Sequence, residues 1–323
     1  MKTRWRILII LIVILSASLF GYTWETKNLE TPWSTAESMQ TGRSEIAAAR
    51  LGDKVLTVGG IGNFRILKSC EIFDISRNNW YTCPDLPRRT HHIAVASDGR
   101  HFYAGGGFTS FGFDLGPPDL LRLDIKADKW EAVATLPFKV GEHALHGHEG
   151  DLFLIGGQLE TGDSNQLWRF KQGGIWERLS DMPTARHSFA SMIISDELWV
   201  TGGRSNALGT KIDKIEIYNF ASNLWRSGPV MPTGRGGHYA AQVGDEIHII
   251  GGEVFGPVRL INDHEVYNLT TEQWSERAQM PVSRHGGSAL AINGKVFLFG
   301  GGRKPAIQTV ISASSKVLVF TPE

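Results

Sequence analysis

Two sequence markers recur along this chain with a spacing of about fifty residues. Glycine pairs close apolar runs and begin at Gly59, Gly105, Gly156, Gly202, Gly251 and Gly300. A tryptophan opens the array or follows a pair, at Trp33, Trp80, Trp130, Trp176, Trp225 and Trp274. A period of this length is typical of arrays in which each repeat forms one sheet. Six such repeats predict one closed array rather than two independent domains.

Each repeat reads as four short strands separated by turns. In the fifth repeat, apolar residues recur through 237–243, 246–250 and 261–268, and Trp274 opens a fourth strand. The glycine pairs allow the chain to turn where a Cβ would clash, and the large aromatic side chains supply apolar area between neighbouring sheets. We find no helical periodicity after the N-terminal segment. The sequence therefore predicts an all-β array of four-stranded antiparallel sheets.

The first and last repeats are incomplete in complementary ways. Trp33 has no glycine pair before it, and the apolar alternation at 316–320 has no tryptophan after it. We expect the strand around Trp33 to complete the last sheet, because this pairing removes two free sheet edges that otherwise promote aggregation. The array then spans residues 33–323 and is preceded by an extended segment at 21–32.

Residues 1–20 have the composition of a targeting segment. Lys2, Arg4 and Arg6 precede an apolar run at 7–15, and small residues follow at 16–18. This order is typical of a secretory signal peptide. A membrane anchor is the alternative: residues 7–20 fall short of the roughly 20 residues that span a bilayer, but residues 21–24 would extend them to the interface. We therefore expect an exported protein, periplasmic or extracellular, whose only contact with a membrane is through this segment.

Composition and motifs exclude some classes of function. The 33 basic and 33 acidic residues are in balance, whereas nucleic-acid binders carry a clustered basic excess. Nucleophile elbows, zinc-protease motifs and phosphate-binding glycine loops are not recognisable in the sequence. These observations argue against a nucleic-acid partner and against the common motif-based enzymes.

The two cysteines lie symmetrically about a predicted turn. Cys70 and Cys83 are equidistant from the point between residues 76 and 77, as are Phe73 and Trp80. In a hairpin centred there the thiols face each other, close enough for a disulfide. Export would permit oxidation. Two free, buried thiols are the alternative.

The repeat resembles the kelch motif. An Arg-x-x-His start, an apolar strand ending in Gly-Gly, then Tyr or Phe, then Trp recurs in six registers over residues 33–323. Val140 departs by standing where other repeats place arginine, and Leu123 and Phe170 replace the tyrosine. The resemblance implies a six-bladed β-propeller, closed by the two chain ends. We expect this propeller to be monomeric.

Five arginines mark the predicted entrance of the central channel. In such a blade, strand one is innermost and the loops between strands two and three share its starting face. The position sixteen residues before each glycine pair holds Arg43, Arg89, Arg186, Arg235 and Arg284. Resemblance to kelch adaptors implies that four of them, Arg89, Arg186, Arg235 and Arg284, line a ligand pocket, where guanidinium groups bind carboxylates bidentately. Arginines that bond to loop carbonyls are the structural alternative.

Histidines and glutamates stand beside these arginines. The position thirteen residues before a glycine pair holds His92, His143 and His238, while His187 and His285 lie nearer the arginine. Three histidines at one depth fit either a metal site or a polar, pH-sensitive lining. Because they belong to blades two, three and five, unevenly placed around the axis, we expect no metal and no other cofactor. The weak candidates for acid–base catalysis are Glu45, Glu142, His143, His238 and Glu253.

The loops after the glycine pairs differ most between repeats. The second loop is the longest and carries Phe108 and Phe111. Exposed aromatic residues beside a channel mouth indicate a partner or carbohydrate surface, and a loop packed on itself is the alternative. Arg204 and Glu253 follow their glycine pairs directly, and such long polar side chains suit recognition of a polar ligand.

Two functions fit these residues. The favoured one is a binding module that holds a protein, a peptide or an anionic glycan at the loop face. The alternative is a carbohydrate-active enzyme, since some exported six-bladed kelch propellers are N-acetylneuraminate epimerases and an arginine-lined mouth suits a carboxylated sugar. Copper radical oxidase relatives need a cysteine near the axis, whereas Cys70 and Cys83 fall in an outer hairpin.

Overall fold

The structure is a computed structural model and describes residues 32–171, 173–206 and 212–322. These residues form six four-stranded antiparallel sheets. The six innermost strands contact one another in a closed ring, from the first blade to the sixth and back to the first. The six-bladed, all-β propeller is therefore confirmed.

In blades one to five the strands run in chain order from the axis to the rim, whereas in blade six the N-terminal strand is outermost. Blades one to three contain Ala48–Leu51, Lys54–Val58, Cys70–Asp74 and Asn79–Cys83; Ala94–Ser97, Phe102–Gly105, Asp119–Asp124 and Lys129–Thr135; and Ala144–His148, Asp151–Ile155, Leu167–Lys171 and Ile175–Arg178. Blades four to six contain Ala190–Ile194, Glu197–Thr201, Ile215–Asn219 and Leu224–Ser227; Tyr239–Val243, Glu246–Ile250, His264–Asn268 and Gln273–Glu276; and Ser288–Ile292, Lys295–Phe299, Val317–Phe320 and Trp33–Ala36.

Short elements occupy several loops that follow the glycine pairs. Three are two-stranded hairpins, made of Ile61–Gly62 with Arg65–Ile66, Gln158–Leu159 with Gly162–Asp163, and Glu253–Val254 with Arg259–Leu260. A 3-10 helix spans Ala306–Ile311. These elements lie beside the starts of the innermost strands, because isolated bridges such as Gly236 to Glu253 connect the two.

The N-terminal strand completes the last blade as predicted. Trp33 pairs with Phe320 across the antiparallel ladder, with ring centroids 5.1 Å apart. Phe73 and Trp80 have the same relation in blade one, also at 5.1 Å. Trp33 is 4% exposed, and its Nε1 donates to the Ala278 carbonyl of blade five at 2.9 Å. The closing strand is thus fastened both within its own sheet and to the neighbouring blade.

The core consists of apolar layers between successive blades. Between blades four and five, for example, Ile217 and Met231 pack with Ile247 and Tyr267, all of them buried. Burial of apolar surface contributes roughly 25 cal/mol per Å², so each interface stabilises both blades that form it.

Cys70 and Cys83 are opposite each other in the outer hairpin of blade one and form a disulfide, with their Cα atoms 5.0 Å apart.

The expected signal or anchor segment at residues 1–20 and the lead-in at 21–31 lie outside the described residues. Within the part of the chain that the structure describes, no helix is long and apolar enough to cross a membrane.

Candidate functional site at the channel mouth

A ring of main-chain hydrogen bonds surrounds the channel where the innermost strands begin. One residue per blade has a left-handed φ, between +51° and +62°. Amides in the ring donate to the carbonyl of the preceding blade, as from His92 to Glu45 at 2.9 Å and from Gly286 to Gly237 at 2.8 Å. The ring residues are Glu45, His92, Glu142, Ser188, Gly237 and Gly286. The geometry fixes one residue of every blade at the same height.

Blade two enters this ring one residue later than its first glycine predicts. Gly106 and Gly107, with φ of +68° and +90°, correspond to the pair that closes strand two in the other blades, whereas Gly105 still belongs to its strand. Positions counted back from Gly105 therefore fall one residue too early in the chain. The arginine position of blade two is occupied by Thr90, and Arg89 is exposed and donates to the Ile66 carbonyl at 2.9 Å.

The shifted register also corrects the predicted histidine set. His92 is a ring residue at the level of Glu45 and Glu142, whereas His143 and His238 lie one position deeper and are buried. Three histidines at one depth are therefore not present in the described residues, and no group of three or more metal-ligating side chains occurs there. The prediction placed His92 one position too deep, because blade two has three consecutive glycines and the positions were counted from the wrong pair.

The arginines belong to the framework rather than to the entrance. Arg43 donates to the carbonyls of Gly59 and Ser69 at 2.9 and 3.0 Å and pairs with the buried Glu71 at 2.5 Å. The other arginines of this register are equally enclosed, at no more than 1% exposure: Arg186 pairs with Glu216 at 2.5 Å, Arg235 with Glu265 at 2.8 Å, and Arg284 donates to two carbonyls. The structure does not bring them to the mouth.

Acids and bases instead form a continuous belt around the mouth. We define the belt, in order of contact, as Asp163, His187, Glu142, His92, Glu45, His285, Glu253 and Arg204. Every blade contributes at least one member. The belt closes on itself because Arg204, its last member, exchanges main-chain hydrogen bonds with His187, its second member: each amide donates to the other's carbonyl, at 2.8 and 3.0 Å. Acids and bases alternate along its whole length.

The centre of the belt is a histidine between two glutamates. Nε2 of His92 lies 2.9 Å from Oε2 of Glu45 and 3.1 Å from Oε1 of Glu142. Glu142 also contacts Nδ1 of His187 and accepts a hydrogen bond from the Ser188 hydroxyl at 2.8 Å. Both carboxylates are therefore held in place by partners from neighbouring blades.

The hydrogen-bond pattern assigns a positive charge to His92. Nε2 of His91 lies 2.9 Å from the Ser110 carbonyl, which can only accept, so this nitrogen carries the proton. Burial, and then the charge of His92, lower the pKa of His91 to about 4, so that its Nδ1 accepts from Nδ1 of His92 at 2.6 Å. His92 thus donates from both ring nitrogens. Burial opposes this charge, but Glu45 and Glu142 outweigh it and raise the pKa of His92.

The glutamates beside His92 are ionised. Burial acts to raise the pKa of Glu45, but the attraction of His92 and His285 prevails and holds that pKa at about 2. Burial likewise opposes the charge of Glu142, whereas His92 and His187 hold its pKa far below the usual range. A charged imidazolium therefore lies between two carboxylates at the wall of the mouth.

His143 and His238 are neutral and lie apart from the belt. Burial lowers the pKa of His143 and of His238 to about 3. His238 is held by the Thr201 hydroxyl, with Nε2 and Oγ1 2.9 Å apart. Both side chains line the channel below the ring, so they shape the cavity wall without contributing charge.

The belt opens into a cavity of about 730 Å³ that extends between the innermost strands. Phe111 and Phe113 line the same cavity and are 41% and 47% exposed, while Phe108 is buried beneath them. The ring of Phe113 lies 5.7 Å from that of His91 and 6.0 Å from that of His92. The long second loop is thus partly packed on itself, yet it presents two aromatic rings beside the belt. A cavity of this size accommodates a small ligand or a segment of peptide.

Sequence reasoning assigned most belt members but missed Asp163. This residue lies in the short hairpin of blade three, and its Oδ1 is 3.7 Å from Nε2 of His187. No repeat position marks it, because the equivalent residue in the matching hairpin of blade one is Ile66. Glu253 and Arg204 were identified by a different signal, their position directly after a glycine pair.

Comparisons with known proteins agree with the repeat pattern. The KLHDC2/KLHL20/DRC7 Kelch-repeats domain matches residues 135–301, and the Kelch motif matches residues 42–87. Similar curated proteins include Kelch-like protein 36 of Mus musculus (25% identical over 225 residues, 66% of this chain and 36% of that protein), Kelch-like protein 35 of Mus musculus (27% over 182 residues, 56% and 30%) and beta-scruin of Limulus polyphemus (25% over 210 residues, 60% and 22%). The matches thus cover between 22% and 36% of the length of these relatives.

Among solved structures, the one titled "Structure of YjhT" shares the fold, with a TM-score of 0.76 and 15% identity over 90% of this chain and 98% of that one. Together with the match of the Kelch-repeats domain to more than half of the sequence, these findings place the chain in the kelch-repeat family.

Proposed function

We propose that this protein is an exported kelch propeller that binds a protein or peptide segment at its channel mouth. The belt is the observation that carries the proposal. Each of Arg43, Arg186 and Arg235 has its own buried acidic partner, so the belt glutamates are not required to neutralise the framework. Kelch propellers generally serve as protein-binding modules, and the belt supplies this one with a polar recognition surface.

The aromatic residues beside the belt support a macromolecular ligand. Phe111 and Phe113 are about half exposed at the cavity wall, and aromatic side chains that become buried on binding are frequent hot spots of protein interfaces. Charged groups next to them add specificity. An extended segment that inserts one side chain into the mouth would contact both.

Export is part of the proposal and rests on the order of basic, apolar and small residues at 1–18. The disulfide between Cys70 and Cys83 is consistent with an oxidising compartment. N-terminal sequencing of the protein from soluble and membrane fractions tests it. A start near residue 19 in the soluble fraction indicates cleavage, an intact N-terminus in membranes indicates an anchor, and cytosolic protein with an intact N-terminus contradicts export.

Selection from a random peptide library tests the binding function. We expect peptides selected on the purified protein to bind Glu142→Gln at least tenfold more weakly, because the substitution removes a charge that contacts both His92 and His187. Glu131→Gln is the matched control, since Glu131 pairs with Arg122 on the outer strands of blade two. Equal binding to both variants, or no enrichment, would contradict the proposal. A glycan array is screened in parallel. If only the glycans bind in a manner that depends on Glu142, the ligand is a glycan rather than a peptide.

The carbohydrate-active enzyme has less support from the structure. It was favoured by an arginine-lined mouth, but Arg204 is the only arginine of the belt and it contacts Glu253. A carboxylated sugar would therefore meet three glutamates. Anomer exchange of N-acetylneuraminate followed by NMR is the direct measurement. Exchange faster than the spontaneous rate, and lost in Glu142→Gln, would favour the enzyme over the binding module.

A further inference from the structure

We propose that two buried histidines of blade five, His248 and His264, make the closure of the propeller sensitive to acid. They lie on the second and third strands of that blade, and their rings contact those of Trp33 and Phe320 in blade six. A proton taken up by this histidine pair loosens the seam between the two blades and releases the strand Trp33–Ala36. Neither histidine belongs to the belt, so the inference is independent of the proposed binding function.

The histidine pair packs against the two aromatic rings that close the propeller. The centroid of the His264 ring lies 4.5 Å from that of Phe320, edge to face, and 5.8 Å from that of Trp33. The His248 ring lies 5.6 Å from that of Phe320. The Ala278 carbonyl accepts a hydrogen bond from Nε1 of Trp33 at 2.9 Å and lies 3.3 Å from Nδ1 of His264. The closing strand and the histidine pair therefore share one acceptor.

Hydrogen bonding accounts for the protons of a neutral pair. Nδ1 of His264 faces the Ala278 carbonyl, which only accepts, so this nitrogen carries a proton. Burial, and then the neighbouring His248, lower the pKa of His264 to about 3, so that its Nε2 accepts from Nδ1 of His248 at 2.9 Å. Burial, and then Arg277, lower the pKa of His248 to about 4. Its Nε2 therefore carries a lone pair that is buried without a hydrogen-bond partner among the described residues.

The charged groups around the histidine pair do not compensate an added proton. Those that act on it form two ion pairs within blade five, Glu246 with Arg277 and Arg235 with Glu265. Oε2 of Glu246 lies 3.7 Å from Nε2 of His248, which is too far for a hydrogen bond. Both arginines oppose a further positive charge on the pair. The rings that blade six places against it, those of Trp33 and Phe320, do not titrate.

A proton added to the histidine pair has no favourable position in the closed seam. On Nε2 of His264 it would face the N–H of His248, and the hydrogen bond between the rings would be lost. On Nε2 of His248 it would place a charge where the two residues are no more than 1% exposed, and an enclosed charge without a partner is costly. In an open seam both rings reach water, where histidine takes up a proton at about pH 6.5.

Acid therefore favours the open seam. Because the folded pKa of each histidine lies below its unfolded value, the stability that the closed seam gains from the pair is complete above about pH 6.5. It is lost as the pH falls toward the pKa of about 4 of His248. Opening becomes roughly tenfold more favourable per pH unit for each histidine that it exposes.

Hydrogen exchange followed by mass spectrometry at pH 7 and pH 5 tests the seam, with protection factors corrected for the effect of pH on intrinsic exchange. The matched reference is Lys129–Thr135, the outer strand of blade two, whose Trp130 donates to the Pro84 carbonyl of blade one at 2.9 Å. We expect protection at Trp33–Ala36 to fall at least about tenfold further than at the reference strand. Equal losses at the two strands would overturn the proposal, since acid would then act on the whole propeller.

Replacement of both histidines tests the assignment to the pair. In His248→Leu/His264→Leu the additional loss of protection at Trp33–Ala36 should shrink to about threefold or less, because no titratable ring remains in the seam. His146→Leu is the matched control and should keep the parental loss, since His146 is also buried with its pKa lowered to about 4 but bonds to Ser191 on the innermost strands. Parental behaviour of a folded double variant would overturn the role of the pair. If the double variant does not fold, the comparison of the two strands in the parent decides the proposal.

Discussion

Charged side chains near the mouth fall into two groups, which differ in the residues that they pair with. Arg43 is enclosed by Glu71 and by main-chain carbonyls, so its charge is balanced inside the framework. Glu45 instead meets His92 and His285 at the wall of an open cavity. The first arrangement stabilises the blade, and the second presents a charge pattern to a ligand.

The buried arginines should therefore be essential for stability. Arg186→Ala removes hydrogen bonds to the carbonyls of Gly202 and Lys214 and leaves Glu216 buried without its cation. Loss of one partner of a buried ion pair costs about 3–5 kcal/mol, and we expect this decrease in the free energy of unfolding. Denaturation by urea measures it. Arg89→Ala is the matched control and should change stability by about 0.5 kcal/mol or less, as exposed substitutions do; equal effects would contradict the distinction.

Buried neutral histidines should make the protein sensitive to acid. The folded pKa of His143 is about 3, below its usual value near 6.5, so the unfolded chain takes up the proton first. Stability from this histidine is complete above pH 6.5 and is lost as the pH falls toward 3, by about 1.4 kcal/mol per pH unit. His238 adds the same dependence.

His143→Leu should flatten this acid limb. We expect unfolding free energies measured at pH 7 and pH 5 to differ by about 2 kcal/mol less in this variant than in the parent, since about 1.5 pH units of the window are sampled. Arg89→Ala should keep the parental dependence. An unchanged slope in His143→Leu would show that His143 is already protonated in the folded state.

At the level of strands and turns, periodicity carries most of the information. Alternation and the complementary half-repeats predicted the blades and the pairing of Trp33 with Phe320, because those features depend on which residues are apolar. The exact ring position in blade two was not predictable, since Gly105, Gly106 and Gly107 are chemically identical and only their φ angles separate them. The sequence also did not predict that the arginine side chains point into the blades. A repeat position fixes the height of a residue along the channel axis but not the direction of its side chain.

The ring of left-handed residues yields a matched pair of substitutions. Gly237 and Gly286 share a φ of +62°. An added Cβ at Gly237 meets nothing nearer than 3.5 Å, whereas at Gly286 it would lie 2.5 Å from the Glu45 carboxylate. Gly237→Ala should cost about 1–2 kcal/mol of stability from backbone strain alone. Gly286→Ala should cost more, because the Glu45 carboxylate must also move, and urea denaturation of both variants would measure the difference. Equal loss of stability in both variants would contradict the placement of Glu45.

For the molecule as a whole, closure by the N-terminal strand should dominate stability. Trp33→Ala removes the contact with Phe320 and the hydrogen bond to the Ala278 carbonyl. Truncation of a buried tryptophan costs about 3–5 kcal/mol, and we expect the urea midpoint to fall accordingly. Ser34→Ala, at the exposed neighbouring position, is the control and should leave the midpoint unchanged. A loss below about 1 kcal/mol in Trp33→Ala would mean that the propeller holds together without this closure.

The closed belt also bears on how such a protein can evolve. Repeats in an array usually diverge independently, since each contacts only its neighbours. Here a charge in blade one shares a histidine with a charge in blade three, because His92 joins Glu45 to Glu142. Substitutions at these positions should therefore be epistatic, with combined effects that differ from the sum of the single effects. Substitutions at the rims of different blades should be additive, whereas those at the mouth should depend on one another across blades.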